Sequence, residues 1–330
     1  MLRYYTWAVG EQALSLLPGG KSLYRRVGRA VKAKTQGTGT QLATSFPLAR
    51  KAKQLAPPGG TILDIGTGWF HHDAFLLYLV GDYRIYLFDI EDRAELEYIR
   101  NYVTYLRDNI DWVARELAID AGPARDKLTA LLALPDRRSI YARCNFVPCI
   151  TDQVDRPFLP ERSIDFMVSN CVLVHIRPDM LLPEMRTLAA LLKEGGGMYH
   201  MLGHDDHWAF HDPTMSWPSF NYLRYSERAY RLLFDTRLEY HNRIVRPEWL
   251  EIFSRSGLRV EEYEAVINRE SRASVGALPR IAPRYAQYEL DDLAIIYSYV
   301  LLRNQDNGAG EARTQDRVSQ RDDVADVARG

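Results

Sequence analysis

The sequence predicts an α/β fold: a doubly wound, mostly parallel seven-stranded sheet with helices before it and a lid inserted late in the chain. Three stretches carry that expectation. Thr61–Asp73, TILDIGTGWFHHD, reads as a short buried strand stopped by Gly66-Thr67-Gly68, after which a helix starts. RIYLFDIED supplies a second strand, Ile85–Phe88, ending on Asp89. That acid stands roughly 20 positions after the turn, where a carboxylate can accept both hydroxyls of a ribose. Pro157–Ile176, PFLPERSIDFMVSNCVLVHI, contains a buried strand, Ile164–Val168, with Ser169 and Asn170 at its carboxyl end. Ligands of open α/β sheets bind at such strand ends.

Composition is that of an ordinary folded protein. The chain has 330 residues, 46% of them hydrophobic, enough for one large domain or two small ones. Lys+Arg 42 nearly cancel Asp+Glu 43, a formal net charge of -1, so no global field favours nucleic acid. Cys144, Cys149 and Cys171 form no CxxC and are odd in number, which suits a reducing compartment and makes a cytoplasmic enzyme the default.

The first segment, 1–58, reads as an N-terminal helical extension. Met1–Leu17 is apolar and aromatic, whereas Lys21–Lys34 carries Lys21, Arg25, Arg26, Arg29, Lys32 and Lys34. A signal peptide would place charges first, and no stretch approaches the ~18 uninterrupted apolar residues of a spanning helix. Basic residues beside Tyr4, Tyr5 and Trp7 leave open a peripheral contact with an anionic membrane, against the more ordinary role of capping a catalytic domain. Gly37-Thr38-Gly39-Thr40 is a loop, and Gln41–Leu55 a helix stopped by Pro57-Pro58-Gly59-Gly60.

The nucleoside is narrowed by what the glycine turn lacks. A dinucleotide fingerprint needs a third small residue, and counted from Gly66 that position is His71, which argues against a pyrophosphate and an NAD-dependent reductase. Asp64, two residues before Gly66, suits a ligand carrying an ammonium group. With Asp64, Gly66 and Gly68 the chain resembles the class I S-adenosyl-L-methionine (SAM)-dependent methyltransferases, whose first motif is an acid followed by G-x-G-x-G. The third glycine of that motif is Phe70 here, which alters the approach to the methionine end. The resemblance implies a Rossmann-like methyltransferase domain over 59–303 with SAM as cofactor, covered by the helix before the first strand. It makes Asp89 the ribose-binding acid, Ile90 the residue flanking adenine, and Asp152 the partner of the adenine amino group, with Thr151 and Gln153 as substitutes. Ser169, Asn170 and Cys171 would line the cleft beside the methyl group, and His175-Ile176 matches the end of the family's fourth motif.

Between Asp89 and the third strand, Asn145–Ile150, apolar residues fall at helical spacing from Leu96 through Leu117, with a further helix over Ala124–Leu134. This is more than one crossover needs, so an extra helix is expected there. Met180–Lys193 is a helix ended by Gly195-Gly196-Gly197, and Met198–Leu202 the fifth strand. HMLGHDDHWAFHDP follows, with four of the chain's eight histidines within twelve residues. Hydroxyl methylation needs a base or a metal to make oxygen nucleophilic. His204 or His207 is a candidate base, with Asp205 or Asp206 fixing its tautomer, and His175 is a third candidate. A divalent ion held by these acids and imidazoles is the alternative, but no helical H-x-x-x-H supports it and no metal is expected. The lid, about 204–246, mixes aromatic residues and arginines that suit sugar rings or anionic groups, or simply pack. Arg246–Gly257 is a helix, LRVEEYEA the sixth strand, Leu293–Leu302 the seventh, and 304–330 a polar segment expected to be a disordered tail.

The expected function is SAM-dependent methylation of oxygen on a polar small molecule, such as a sugar or glycan intermediate. A lipidic phenol, quinone or polyketide acceptor, with the N-terminus as docking element, and a non-catalytic SAM-binding module are the alternatives. Oligomeric state and the physiological acceptor are not legible in the sequence.

Overall fold

The computed structural model describes residues 2–32, 39–152, 158–212, 214–215, 218–236, 238, 240–305 and 315–320. Three helices come first: α1 (Leu2–Leu16), α2 (Gly20–Lys32) and α3 (Gly39–Leu55). The sheet begins with β1 (Thr61–Ile65), followed by α4 (His72–Val80) and β2 (Arg84–Asp89). Four helices, α5 (Leu96–Asp108), α6 (Ile110–Leu117), α7 (Ala121–Leu132) and α8 (Arg137–Cys144), fill the crossover to β3 (Phe146–Ile150), where only one extra helix was expected. Then come β4 (Ile164–Asn170), α9 (Pro178–Leu191), β5 (Leu192–Gly203), α10 (Glu227–Leu233), α11 (Arg246–Arg255), β6 (Leu258–Ile267), α12 (Arg269–Gly276), α13 (Leu290–Leu293), β7 (Tyr297–Asn304) and β8 (Gln315–Gln320).

The strands lie in the order β3-β2-β1-β4-β5-β7-β6-β8. Only β7 runs against the others, pairing antiparallel with both β5 and β6. The seven expected strands are present, in a doubly wound sheet with helices on both faces. An eighth is added: Gln315–Gln320 pairs parallel with β6, so the expectation of a disordered tail does not hold for that segment. Backbone hydrogen bonding along a free sheet edge stabilises an extended segment that composition alone marks as unable to fold.

Both faces are apolar, as a buried parallel sheet requires. Ile62, Ile85, Phe166 and Val168 belong to the core beneath α3, α4 and the β2–β3 helices. Leu63, Ile65, Met167 and Met198 belong to the core beneath α9 and α11. Gly195-Gly196-Gly197 does not separate helix from strand. β5 starts earlier, at Leu192, and its pairing with β4 jumps from Ile164↔Leu192 to Phe166↔Gly197. The glycines form a bulge, with Gly195 at φ +74, inside a continuous strand.

Candidate active site

The chain runs from β1 outward to β2 and β3 on one side of the sheet, and to β4 and β5 on the other. A crevice opens at such a switch point, outside the carboxyl ends of the strands. The glycine turn lies there. Gly66 and Thr67 N–H both donate to Phe88 O, at 2.8 and 3.2 Å. Gly68 N–H donates to Asp89 Oδ2 at 3.0 Å, and Glu91 N–H to Asp89 Oδ1 at 3.2 Å. Two amides thus hold the Asp89 carboxylate, and each oxygen keeps capacity for a further donor such as a ribose hydroxyl.

Gly66 and Gly68 both have positive φ, +72 and +64, for different purposes. A Cβ on Gly66 would lie 2.4 Å from Val172 Cγ2, in the loop after β4, so close packing demands glycine. A Cβ on Gly68 would meet nothing nearer than Gly66 O at 3.7 Å, so this position faces open space and offers bare backbone to a ligand. His71, also left-handed at φ 55, joins Thr67 Oγ1 at 2.7 Å and Tyr141 Oη at 2.6 Å and braces the start of α4. Phe70, in place of the third glycine, is buried and stacks on His72 beside Tyr98. Its ring is absorbed by the core and leaves the turn open.

Asp64 shares the face of β1 with Ile62, because alternate strand residues point the same way. Its carboxylate is buried, and neither oxygen has a hydrogen-bond partner among the described residues. Burial, then the charge of Asp73, raises its pKa well above the usual carboxylate range, with Thr67 pulling the other way. Asp73, in the first turn of α4, is pushed up to about 6 by burial, against Ser45 and Asn170. Its Oδ1 also lacks a partner. Asn170 Nδ2 donates to Thr44 Oγ1 at 3.1 Å and Ser45 Oγ at 3.0 Å, tying β4 to α3 over this acidic pair. Two incompletely satisfied buried carboxyls fit a cationic ligand group. At the outer side, Ile90 and Ile150 are 52% and 43% exposed at the ends of adjacent strands, where they offer apolar contact to a flat ring. Asp152 is exposed just beyond Ile150. Gln153 lies outside the described residues.

Ser169 is placed differently from expectation. It is fully buried, and its hydroxyl is 2.8 Å from Nδ1 of His200, its register partner on β5, so it belongs to the sheet interior. His200 is equally buried, which lowers its pKa to about 3.

The three candidate bases separate by environment. His204 is buried, with Nε2 2.8 Å from Ser298 Oγ and its pKa lowered to about 4 by burial, while the backbone at Ile244 pulls the other way. It braces β5 against β7. His175 is exposed, and its Nδ1 lies 2.7 Å from Tyr240 O. A carbonyl only accepts, so Nδ1 carries the proton, and in the neutral ring Nε2 is the acceptor. His207 is half-buried, with its ring centroid 5.1 Å from that of His175 and its Nε2 3.8 Å from Cys171 Sγ. Burial pushes the Cys171 thiol up to about 12, so it stays protonated. Behind both stands His241, 4.4 Å from His207, buried with Nε2 unpartnered among the described residues and lowered to about 3 by burial and then His175. Of the three, His175 and His207 are the less buried, near the carboxyl ends of β4 and β5.

Two acids of the histidine-rich loop, Asp206 and Asp212, are committed elsewhere, whereas buried Asp205 lies near Gly203 with His207. Asp206 accepts from Tyr4 Oη at 2.9 Å and from Trp208 N–H at 3.0 Å. Asp212 accepts from Tyr4 N–H at 3.1 Å. Asp206 thus anchors α1 rather than fixing an imidazole tautomer. Among the described residues no group of three or more His, Cys, Asp or Glu side chains is arranged to hold a metal ion. The aromatic residues of the lid mostly pack: Trp208, Tyr225 and Tyr230 surround Phe234, which also meets Tyr4. Sequence reasoning passed over Asp73 and His241. The first was visible as an acid in the opening turn of a helix after the glycines, whereas nothing around His241 marks it.

No family model matches the chain, and no curated protein does. Among solved structures it is similar to a SAM-dependent methyltransferase from Mesorhizobium loti, at 16% identity and TM-score 0.43 over 81% of this chain and 100% of that one. It is also similar to the CcbJ methyltransferase from Streptomyces caelestis, at 14% identity and TM-score 0.42, covering 79% and 90% of the two chains. A third is the geranyl diphosphate C-methyltransferase from Streptomyces coelicolor A3(2), at 11% identity and TM-score 0.41, covering 79% and 78%.

Proposed function

We propose that the protein binds SAM at this crevice and transfers its methyl group to a hydroxyl of a polar small molecule, such as a sugar or glycan intermediate. The observation that carries the reading is the buried, incompletely satisfied carboxyls of Asp64 and Asp73, together with the open backbone of Gly68. Such a pair favours a cationic ligand and disfavours the phosphates of a dinucleotide. Asp89 would take the ribose hydroxyls, Ile90 and Ile150 the adenine faces, with Asp152 at its edge, and Asp64 and Asp73 the positive methionine end. Asn170 holds the α3 cover over that end.

Bound there, SAM supplies an electrophilic methyl group, so the remaining tasks are alignment and proton removal. His207 and His175 are accessible to an acceptor at the ends of β4 and β5, and His175 has its acceptor nitrogen set by Tyr240. A base there adds roughly 10²–10⁴ in rate. Polar imidazoles at the mouth support a hydroxyl acceptor. The core position of Phe70 leaves the glycine turn open, which supports catalysis over a module that only binds SAM.

Calorimetric titration with SAM and separately with NADH tests the cofactor, and a screen of sugar and phenolic acceptors with labelled SAM tests the acceptor class. Saturable SAM binding without an NADH signal is expected. Heat from NADH alone would overturn the reading, and labelling of phenols but not of sugars would reassign the acceptor.

A further inference from the structure

Helix α1 buries Tyr4 and Ala8 against the protein, but α2 leaves aliphatic side chains turned outward. On α2, Lys21 and Arg25 lie one turn apart and both pair with Glu91, Lys21 at 3.0 Å. Leu23 and Val27, also one turn apart, project from roughly the opposite side of the helix at about 100° per residue. They are 52% and 55% exposed. A helix packed on a globular protein normally turns its apolar stripe inward. Here Lys21 and Arg25 reach Glu91 while their side chains stay 60% and 40% exposed, and the aliphatic pair faces solvent instead of the protein.

Leu16 and Leu17, at the α1–α2 corner, and Trp7 on α1 are also among the exposed large hydrophobic residues. Within this stretch of sequence the charges are nearly all of one sign. Over residues 1–34 the sequence carries Arg3, Lys21, Arg25, Arg26, Arg29, Lys32 and Lys34 against a single acid, Glu11. Glu11 is buried and accepts from Thr236. Exposed aliphatic side chains and a predominance of cations make a surface complementary to the headgroups and outer acyl region of an anionic bilayer. No helix among the described residues is long and apolar enough to cross a membrane, so the contact would lie in the interface.

We propose that the α1–α2 hairpin is a docking surface for an anionic lipid bilayer. The hairpin is fastened to both sides of the crevice: α2 to Glu91, two residues past Asp89, and α1 through Tyr4 to Asp206 and Asp212 of the lid. Docking would therefore hold the mouth of the crevice at the lipid surface. The inference is independent of which cofactor binds.

The test is co-sedimentation of the full chain with phosphatidylcholine vesicles, with and without phosphatidylglycerol. Binding is expected with phosphatidylglycerol only, and weaker by about tenfold or more at high salt, since surface attraction of this kind is screened within a Debye length. Leu23→Glu with Val27→Glu, and separately Arg26→Glu, should each lower the partition coefficient about tenfold or more, while thermal unfolding and SAM titration stay unchanged. No phosphatidylglycerol-dependent binding by the unmodified chain overturns the proposal, as does binding indifferent to salt and to both variants. A concentration-dependent dimer, lost in the Leu23/Val27 variant and present without vesicle binding, would reassign the patch to a contact between copies. Loss of SAM binding with vesicle binding intact would overturn only the cofactor reading.

Discussion

Alanine at the two glycines of the turn should have opposite consequences. Gly66→Ala places a Cβ 2.4 Å from Val172 Cγ2 on a backbone at φ +72. The left-handed conformation costs an L-residue about 1–2 kcal/mol, and forcing a methyl into a packed contact about 1–3 kcal/mol, together roughly 2–5 kcal/mol of folding stability. Gly68→Ala carries the backbone cost alone, about 1–2 kcal/mol, because its Cβ meets only Gly66 O at 3.7 Å. Yet that methyl occupies the space offered to a ligand, so SAM affinity should fall about tenfold or more. Urea unfolding and calorimetric titration of both variants measure the contrast, and Val172→Ala in the Gly66→Ala background should recover the steric part only. Equal losses of stability, or a Gly68→Ala protein binding SAM as tightly as the parent, would refute the assignment of packing to one glycine and ligand approach to the other.

Three further outcomes follow from the same geometry. Asp89→Ala should weaken SAM binding about tenfold or more with unfolding little changed, by calorimetry and thermal melting; unchanged affinity would remove Asp89 from the site. Asp73→Asn should raise the melting temperature above about pH 6 and leave it unaltered near pH 3.5, while weakening SAM binding. The native carboxyl titrates near 6 instead of 3.8, so the folded state binds more protons between those values and the parent loses stability as pH rises through that window, which asparagine abolishes. His204→Ala should cost about 1–3 kcal/mol of stability with turnover per folded molecule preserved, whereas His207→Ala should leave stability nearly intact and lower turnover about 10²–10⁴-fold; a reversed pair would return the base to His204.

The strand-forming segments and the glycine turn were legible because their signals are local: β-branched and apolar runs, glycines where φ must be positive, and an acid at a strand end. Phe146–Ile150 and Leu258–Ile267 fall where such runs do. The histidines were legible only as a cluster. They stand three or four residues apart, yet His204 finds Ser298 across the sheet and His207 finds Cys171 and His241, partners supplied by distant parts of the chain. The glycine bulge in β5 and the pairing of Gln315–Gln320 with β6 were equally out of reach, since each depends on a neighbouring strand.

The sequence by itself determined a doubly wound sheet, a glycine turn at Gly66–Gly68 and an acid, Asp89, at the end of the second strand, because backbone conformation and hydrophobic period are properties of a few consecutive residues. Only the tertiary structure decided which polar groups are spent and which are free. Ser169, His204, Asp206 and Asp212 are consumed by hydrogen bonds inside the fold, whereas Asp64 and Asp73 are buried incompletely satisfied. Availability for binding depends on desolvation and on partners far away in the chain, which no local pattern encodes.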